Sequence, residues 1–300
     1  MAIKRTGNMI DGIVIINKPK GLSSNQALQK VKRLFNAQKA GHTGSLDPMA
    51  SGVLPICFGR ATRISQYLLD ADKTYRARIQ LGVATDTGDA EGTVTEQATV
   101  PDMTESKLLK VLAQFKGEIL QIPPMFSALK HQGKPLYQLA RSGIEIERCP
   151  RKVTILNLDM LNYDSEKQII DILVTCTKGT YIRTLAEDIA KAVGCCGHLI
   201  GLVRTRCGIL SEEKMQDIET LSTLAQQERD KHILNVELAF TDKPVFTITE
   251  NEAKRFYQTG KLTDTQELNG IVRLYAGKNF IAIGLFDHGV LSKKQFFTRH

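Results

Sequence analysis

Gly41-His42-Thr43-Gly44-Ser45-Leu46-Asp47-Pro48-Met49-Ala50-Ser51-Gly52 is the stretch that organises the chain around it. Glycines, small polar residues and a proline make it too irregular for a helix or strand interior, so it predicts a loop of defined shape. An aspartate before a proline has an ordinary use, which is to accept hydrogen bonds from turn amides. Here, however, His42, Thr43, Ser45 and Asp47 are crowded between glycines, a density of polar side chains suited to a site.

Working outward toward the N-terminus, Ile13 to Ile16 reads as a buried strand, stopped by the turn signals of Asn17-Lys18-Pro19-Lys20-Gly21. A helix follows, capped by Ser23 or Ser24. Its apolar residues Ala27, Leu28, Val31, Leu34 and Phe35 recur at helical spacing, leaving Lys30 and Arg33 toward solvent. Lys18 and Lys20 therefore stand where a helix N-terminus already favours anions. On the other side, Val53 to Cys57 resumes apolar character and 61–69 reads as helix. From Tyr75, the alternation of Tyr75, Ala77, Ile79 and Leu81 with Arg76, Arg78 and Gln80 is that of a half-buried strand. Residues 125–151 lack periodicity and hold several prolines, glycines and basic residues, as a functional insertion does. Ile169 to Cys176 predicts a buried strand and Lys178-Gly179 a turn. Ile182, Leu185, Ile189, Ala190 and Val193 mark a helix, with Thr184 and Glu187 at capping-box spacing and Arg183 at its start. Residues 211–231 predict a helix and connector. Beyond Lys243, short apolar runs at 245–248, 270–275 and 280–286 alternate with glycine turns. A domain boundary is expected near Ala239 to Lys243, leaving about 60 residues, near the lower size at which a domain folds alone.

The chain of 300 residues carries a net charge of +8, which favours an anionic partner. The charge is concentrated in two zones. Lys4, Arg5, Lys18, Lys20, Lys30, Lys32, Arg33 and Lys39 face Asp11 alone; Lys130, Lys134, Arg141, Arg148, Arg151 and Lys152 face Glu145 and Glu147. Such zones fit a folded surface that tracks a phosphate backbone. The apolar runs are far shorter than the roughly 20 residues a membrane helix needs, and the N-terminus lacks a signal core, so a cytoplasmic protein is expected. The six cysteines, Cys195-Cys196 included, have no zinc-ligand spacing and are expected to be reduced thiols.

The loop from Gly41 through Pro55 resembles the catalytic loop of the TruB-type tRNA pseudouridine synthases, in which the aspartate is the nucleophile. The resemblance continues in Asn17-Lys18-Pro19-Lys20-Gly21-Leu22-Ser23-Ser24, in Lys73-Thr74-Tyr75 through Leu81-Gly82-Val83-Ala84-Thr85-Asp86-Thr87-Gly88-Asp89, and in Lys178-Gly179-Thr180-Tyr181-Ile182-Arg183-Thr184-Leu185. These motifs span about two thirds of the chain. The resemblance implies an α+β fold: a pseudouridine synthase catalytic domain over 1–240, with a large mixed, mainly antiparallel sheet flanked by helices and a mobile basic insertion near 125–152. A small β-rich PUA-like RNA-binding domain over 241–300 would follow.

It also implies an activity: conversion of uridine to pseudouridine at position 55 in the T-arm of tRNA, with no cofactor and no metal, by a monomer. By that resemblance Asp47 attacks the flipped-out nucleotide, Arg183 pairs with Asp47, and Tyr75 stacks on the base. Tyr181 and Leu202 contact the extruded nucleotide, His42 supports its flipped state, and Lys18 supports the loop. Asp86 and Asp89 read as turn formers, and no second carboxylate is evidently paired with Asp47, which disfavours glycoside hydrolysis. Two other readings share the motifs, a tRNA-folding chaperone whose catalysis is secondary and a guide-RNA-dependent relative.

Overall fold

The computed structural model describes residues 7–263 and 268–296. Lys4 and Arg5 of the first basic zone, with the N-terminal segment and the chain's last four residues, lie outside the described residues. In chain order the elements of the first half are β1 Gly12–Lys18, α1 Ser24–Leu34, β2 Ala40–His42, β3 Ser51–Phe58, α2 Ser65–Asp70, β4 Lys73–Leu81, β5 Val83–Thr85, β6 Val94–Gln97, α3 Glu105–Ala113, β7 Gly117–Gln121, β8 Lys130–His131, β9 Lys134–Pro135 and α4 Leu136–Arg141. The second half adds β10 Arg151–Asp164, β11 Ile169–Cys176, α5 Ile182–Val193, β12 Gly197–Cys207, β13 Leu210–Ser211, β14 Gln216–Asp217, α6 Ile218–Thr223, α7 Gln226–Asp230, β15 Val245–Ile248, α8 Glu250–Thr259, β16 Lys261–Thr263, β17 Gly270–Ala276, β18 Asn279–Asp287 and β19 Val290–Phe296.

Ten strands form one sheet in the order β14-β1-β3-β12-β4-β11-β10-β7, with β2 against β3 and β13 against β12. Only β1 with β14 and β3 with β12 run parallel, so the sheet is mixed and mainly antiparallel, as expected. The unbroken apolar run of β1 has a simple cause: both faces of the strand are covered. Val14 and Ile16 pack with Ala27, Leu28 and Val31 of α1, whereas Ile13 and Ile15 pack with Leu68, Val236 and Phe240. Burying each such side chain contributes roughly 1.5–3 kcal/mol.

On β4 the alternation holds. Ala77, Ile79 and Leu81 are buried against Leu185, Ile189 and Ala190 of α5. Arg78 pairs with its cross-strand neighbour Asp171 at 2.7 Å, and Arg76 with Glu212 at 2.6 Å. Both arginines lie on the opposite face from Tyr75.

Two local expectations are corrected. The 125–151 segment is not structureless: it contains β8, β9 and α4, and β10 already begins at Arg151. Thr184 does not cap α5. Tyr181 is the N-cap residue, without a side-chain cap bond, and the Thr184 hydroxyl is buried without a partner inside the first turn. The Gln121 carboxamide occupies the capping place instead, as described below.

A second, five-stranded sheet, β15-β17-β18-β19-β16, carries α8. The three expected strands are present, and α8, opened by a Thr249–Glu252 capping box, was not foreseen. No helix among the described residues is long and apolar enough to cross a membrane.

Candidate active site

The 41–52 stretch runs from the end of β2 through a loop over 43–50 into β3, and that loop is pinned on both sides of Asp47. The Ser24 hydroxyl accepts from Leu46 N–H at 2.7 Å and donates to the Leu46 carbonyl at 3.1 Å. On the other side the Pro48 carbonyl accepts from Gly21 N–H at 2.8 Å and from Lys18 Nζ at 3.4 Å. Lys18, fully buried, also donates to the Pro19 and Leu22 carbonyls. Thus the strand-turn-helix of 12–34 is the frame on which Asp47 is held. Gly52 has φ +101, and a Cβ there would lie 2.2 Å from the Arg204 carbonyl, so only glycine lets β3 and β12 meet at this point.

Arg183, in the first turn of α5, meets this loop. Its Nε lies 3.0 Å from Asp47 Oδ2, and its Nη1 lies 3.5 Å from Asp89 Oδ2. The two terminal nitrogens also donate to backbone: Nη1 to the Thr87 carbonyl at 2.9 Å and Nη2 to the Phe126 carbonyl at 2.7 Å. A guanidinium so buried and so completely bonded has one available geometry. Asp89 is buried and accepts from Thr87 Oγ1 and from Glu91 N–H. It is a turn former, as its spacing suggests, but it is also the second carboxylate of this cluster.

Burial pushes the Asp47 carboxyl above its ordinary range; Arg183 and Lys18 oppose this, and Asp89 reinforces it. Burial likewise brings Lys18 down to about 8, against the pull of Asp47 and Glu91. The Tyr75 phenol is pushed up to about 12 by burial, with the Arg204 guanidinium beside it working the other way. It is therefore a neutral hydroxyl at physiological pH. His42 is held below its ordinary value by burial and by Arg204, and its Nδ1 is buried without a hydrogen-bond partner. Its imidazole is uncharged at neutral pH.

The expected site residues come together. Leu202 on β12 lies in one apolar cluster with Leu46 and Met49 of the loop, and Tyr75 packs against that cluster. Tyr181 is half-buried and lies within electrostatic reach of both Asp47 and Arg183. His42 ends β2 at the near side of the loop. The result is a carboxylate and a buried guanidinium in contact, with Tyr75 against an apolar cluster that includes Leu46, Met49 and Leu202 and with Tyr181 close by. Among the described residues no group of histidine, cysteine, aspartate and glutamate has metal-holding geometry.

Known proteins confirm what these motifs suggest. A family model described as TruB family pseudouridylate synthase (N terminal domain) matches residues 32–182, and one described as tRNA pseudouridylate synthase B C-terminal domain matches 183–241. The chain belongs to the TruB family. Within this family of pseudouridine synthases, it is 52% identical to the tRNA pseudouridine synthase B of Francisella philomiragia over 99% of this chain and 98% of the relative. It is 49% identical to that of Francisella tularensis subsp. novicida over the same shares. Among solved structures, the archaeal box H/ACA sRNP Nop10-Cbf5 complex matches with a TM-score of 0.71 at 24% identity, covering 97% of this chain and 87% of the other. An H/ACA RNP bound to a substrate RNA containing 2'-deoxyuridine matches with a TM-score of 0.72 at 21% identity, covering 100% and 92%. These two likenesses show that the chain shares its fold with those proteins.

Arg204 is a residue beside the 41–52 stretch of this TruB-family chain that sequence reasoning missed. It is fully buried, donates from Nε to the Val53 carbonyl at 2.7 Å and from Nη2 to the Gly44 carbonyl at 3.2 Å, and sits directly across from Tyr75 in the β12–β4 pairing. It thereby ties both ends of the Asp47 loop to β12, beside the strand that carries Tyr75.

Proposed function

We propose that this enzyme isomerises the uridine at position 55 in the T-arm of tRNA, with Asp47 as the nucleophile. The observation that carries the reading is the 3.0 Å ion pair between Arg183 Nε and Asp47 Oδ2, formed in a loop pinned on both sides. Burial alone raises the pKa of the carboxyl; the guanidinium favours the charged form that attack requires. The uridine is flipped from its stack, and Asp47 attacks it at the sugar or the base. The bond between N1 and the sugar breaks, uracil rotates, C5 joins the sugar, the bond to Asp47 breaks and returns its carboxylate, the C5 proton leaves and N1 gains one.

In this reading Tyr75 and Tyr181 sandwich the extruded base over Leu202, and the neutral His42 ring supports the opened RNA stack. Lys18 fixes the loop through its carbonyl bonds and adds positive charge beside Asp47. No cofactor is called for by this residue set. The basic insertion contacts phosphates, and residues 1–240 and 241–300 act as catalytic and RNA-binding units of a cytoplasmic monomer. The curated relatives, named tRNA pseudouridine synthase B at about half identity, support tRNA as the substrate.

The test is to incubate the purified chain with an unmodified tRNA transcript and map pseudouridine. Modification at the T-arm uridine is expected from the native chain, and its loss with retained tRNA binding from Asp47→Asn. An active Asp47→Asn protein, or modification only elsewhere in the tRNA, overturns the assignment.

A further inference from the structure

Gln121 ends β7, the outer strand of the large sheet, and is 2% exposed. Its carboxamide makes two hydrogen bonds to the backbone of a single residue. Tyr181 N–H donates to Gln121 Oε1 at 3.0 Å, and Gln121 Nε2 donates to the Tyr181 carbonyl at 3.2 Å. This reproduces with a side chain the two-way exchange of a strand pair, and it satisfies an amide at the start of α5 that no side chain of the helix's own cap reaches. A few residues further along, the Phe126 carbonyl accepts from Arg183 Nη2 at 2.7 Å, and Ser127 lies beside the Tyr181 phenol. The segment 121–127 therefore grips Tyr181 by its backbone and Arg183 by its guanidinium.

The consequence is geometric. Arg183 follows Tyr181 by two residues in a rigid helical turn, so a displacement of the Tyr181 backbone is carried to a guanidinium that stands 3.0 Å from Asp47. We propose that Gln121 is a positioning residue for the isomerisation: its two-way clasp of Tyr181 sets the Arg183–Asp47 ion pair. The inference rests on the assignment of Asp47 and Arg183 made above and adds to it a residue that touches no substrate. Because 121–127 also begins the basic insertion, the clasp places the root of that insertion in register with the reacting groups.

The pH profile separates this role from simple stabilisation. The charged and titratable groups that face Asp47 are Arg183 and Lys18, Asp89, Glu91 and Tyr181. Gln121 bonds the helix turn of Arg183 and Tyr181 only, so its loss weakens the one strong cationic hold on Asp47. Arg183 holds the Asp47 carboxyl down; loosening it lets that carboxyl rise further, and the acid limb of the rate profile moves to higher pH.

Gln121→Met keeps the volume and the charge and removes both bonds; Gln121→Asn keeps an amide too short to make both. The experiment measures single-turnover tritium release from carbon 5 of uridine in tRNA across pH, together with tRNA binding and thermal melting. Both folded variants are expected to react about 10–100-fold more slowly, the scale of a 1 Å misplacement, with unchanged tRNA affinity and a raised acid limb. Full activity, a defect confined to tRNA affinity, or a slowed reaction with the acid limb unmoved overturns the inference. If Gln121→Met fails to fold, Gln121→Asn carries the same three outcomes. Native protein that releases no tritium sinks the functional assignment itself, whereas active native protein beside indifferent Gln121 variants sinks this inference alone.

Discussion

Burial and the neighbouring Asp89 raise the Asp47 carboxyl from its ordinary value of 3.8, and Arg183 and Lys18 only partly offset them. A carboxyl whose folded-state value lies above its unfolded one binds more protons in the native protein, so its charged form subtracts stability as pH rises from about 3.8 through the folded value. Asp47→Asn, which is neutral at every pH, is therefore expected to melt higher than the native protein at pH 7, with the difference shrinking as pH falls toward 4. Thermal melts of the two proteins across that range decide it; a lower melting temperature for Asp47→Asn at pH 7 would falsify the balance of forces drawn here. At this scale the sequence was informative where a motif surrounded a residue. Asp47, Lys18 and Arg183 were legible as a set. Asp89 was legible only as a turn former, because its spacing says nothing of the guanidinium that folding brings to it from residue 183.

The elements explain what else stayed hidden. Strand β12 was not read from the sequence, because bulges between Leu199 and Gly201 and between Arg204 and Arg206 break its alternation. Its buried face runs Leu199, Leu202, Arg204 and Cys207, a spacing that fits neither strand nor helix, and Arg204 was lost with it. Bulges between Ile155 and Asn157 and between Met160 and Asn162 hide β10 in the same way. The unbulged β1, β4 and β11, by contrast, showed their burial directly. The 125–151 segment was legible as basic and irregular but not as the folded β8-β9-α4 unit. On that unit Lys130, Lys134 and Arg141 are exposed, and among the described residues none of them pairs with a carboxylate. Arg141 instead lies 5.7 Å from the Tyr137 ring centre. If these three cations bind phosphates, replacing all of them with alanine should lower the slope of log affinity against log salt by about 0.7–0.9 for each phosphate that is no longer neutralised. The rate on saturating tRNA should be unchanged. Affinity measured at several salt concentrations tests this, and an unaltered slope with weakened binding assigns the insertion some role other than phosphate binding.

At the scale of the molecule, the boundary expected near Ala239 to Lys243 separates two sheets, and the C-terminal one has an apolar cluster of its own around Phe246, Phe256, Leu274 and Phe286, yet the packing does not stop at the boundary. Ile283 of β18 is buried in the same apolar cluster as Ile13, Leu68 and Phe240, and Ile271 and Phe280 pack against that cluster. Polar ties cross the same line: Arg273 pairs with Glu237 at 2.9 Å and donates to the Lys243 carbonyl at 3.0 Å, and Arg63 donates to Gln295 at 3.2 Å. The change in strand pattern was visible in the sequence, whereas the shared packing was not, because periodicity reports which residues are buried and not against what. A unit of about 60 residues with so small a core, part of whose buried surface lies against its neighbour, has little stability of its own. The full chain is therefore expected to unfold in one calorimetric transition, with calorimetric and van't Hoff enthalpies in agreement. Ile283→Ala should remove part of the shared cluster and cost about 2–5 kcal/mol, shifting that single transition downward as a whole. Two resolved transitions in the native chain, or an Ile283→Ala protein in which only a small first transition moves, would show that the C-terminal sheet folds apart from the body that carries the site.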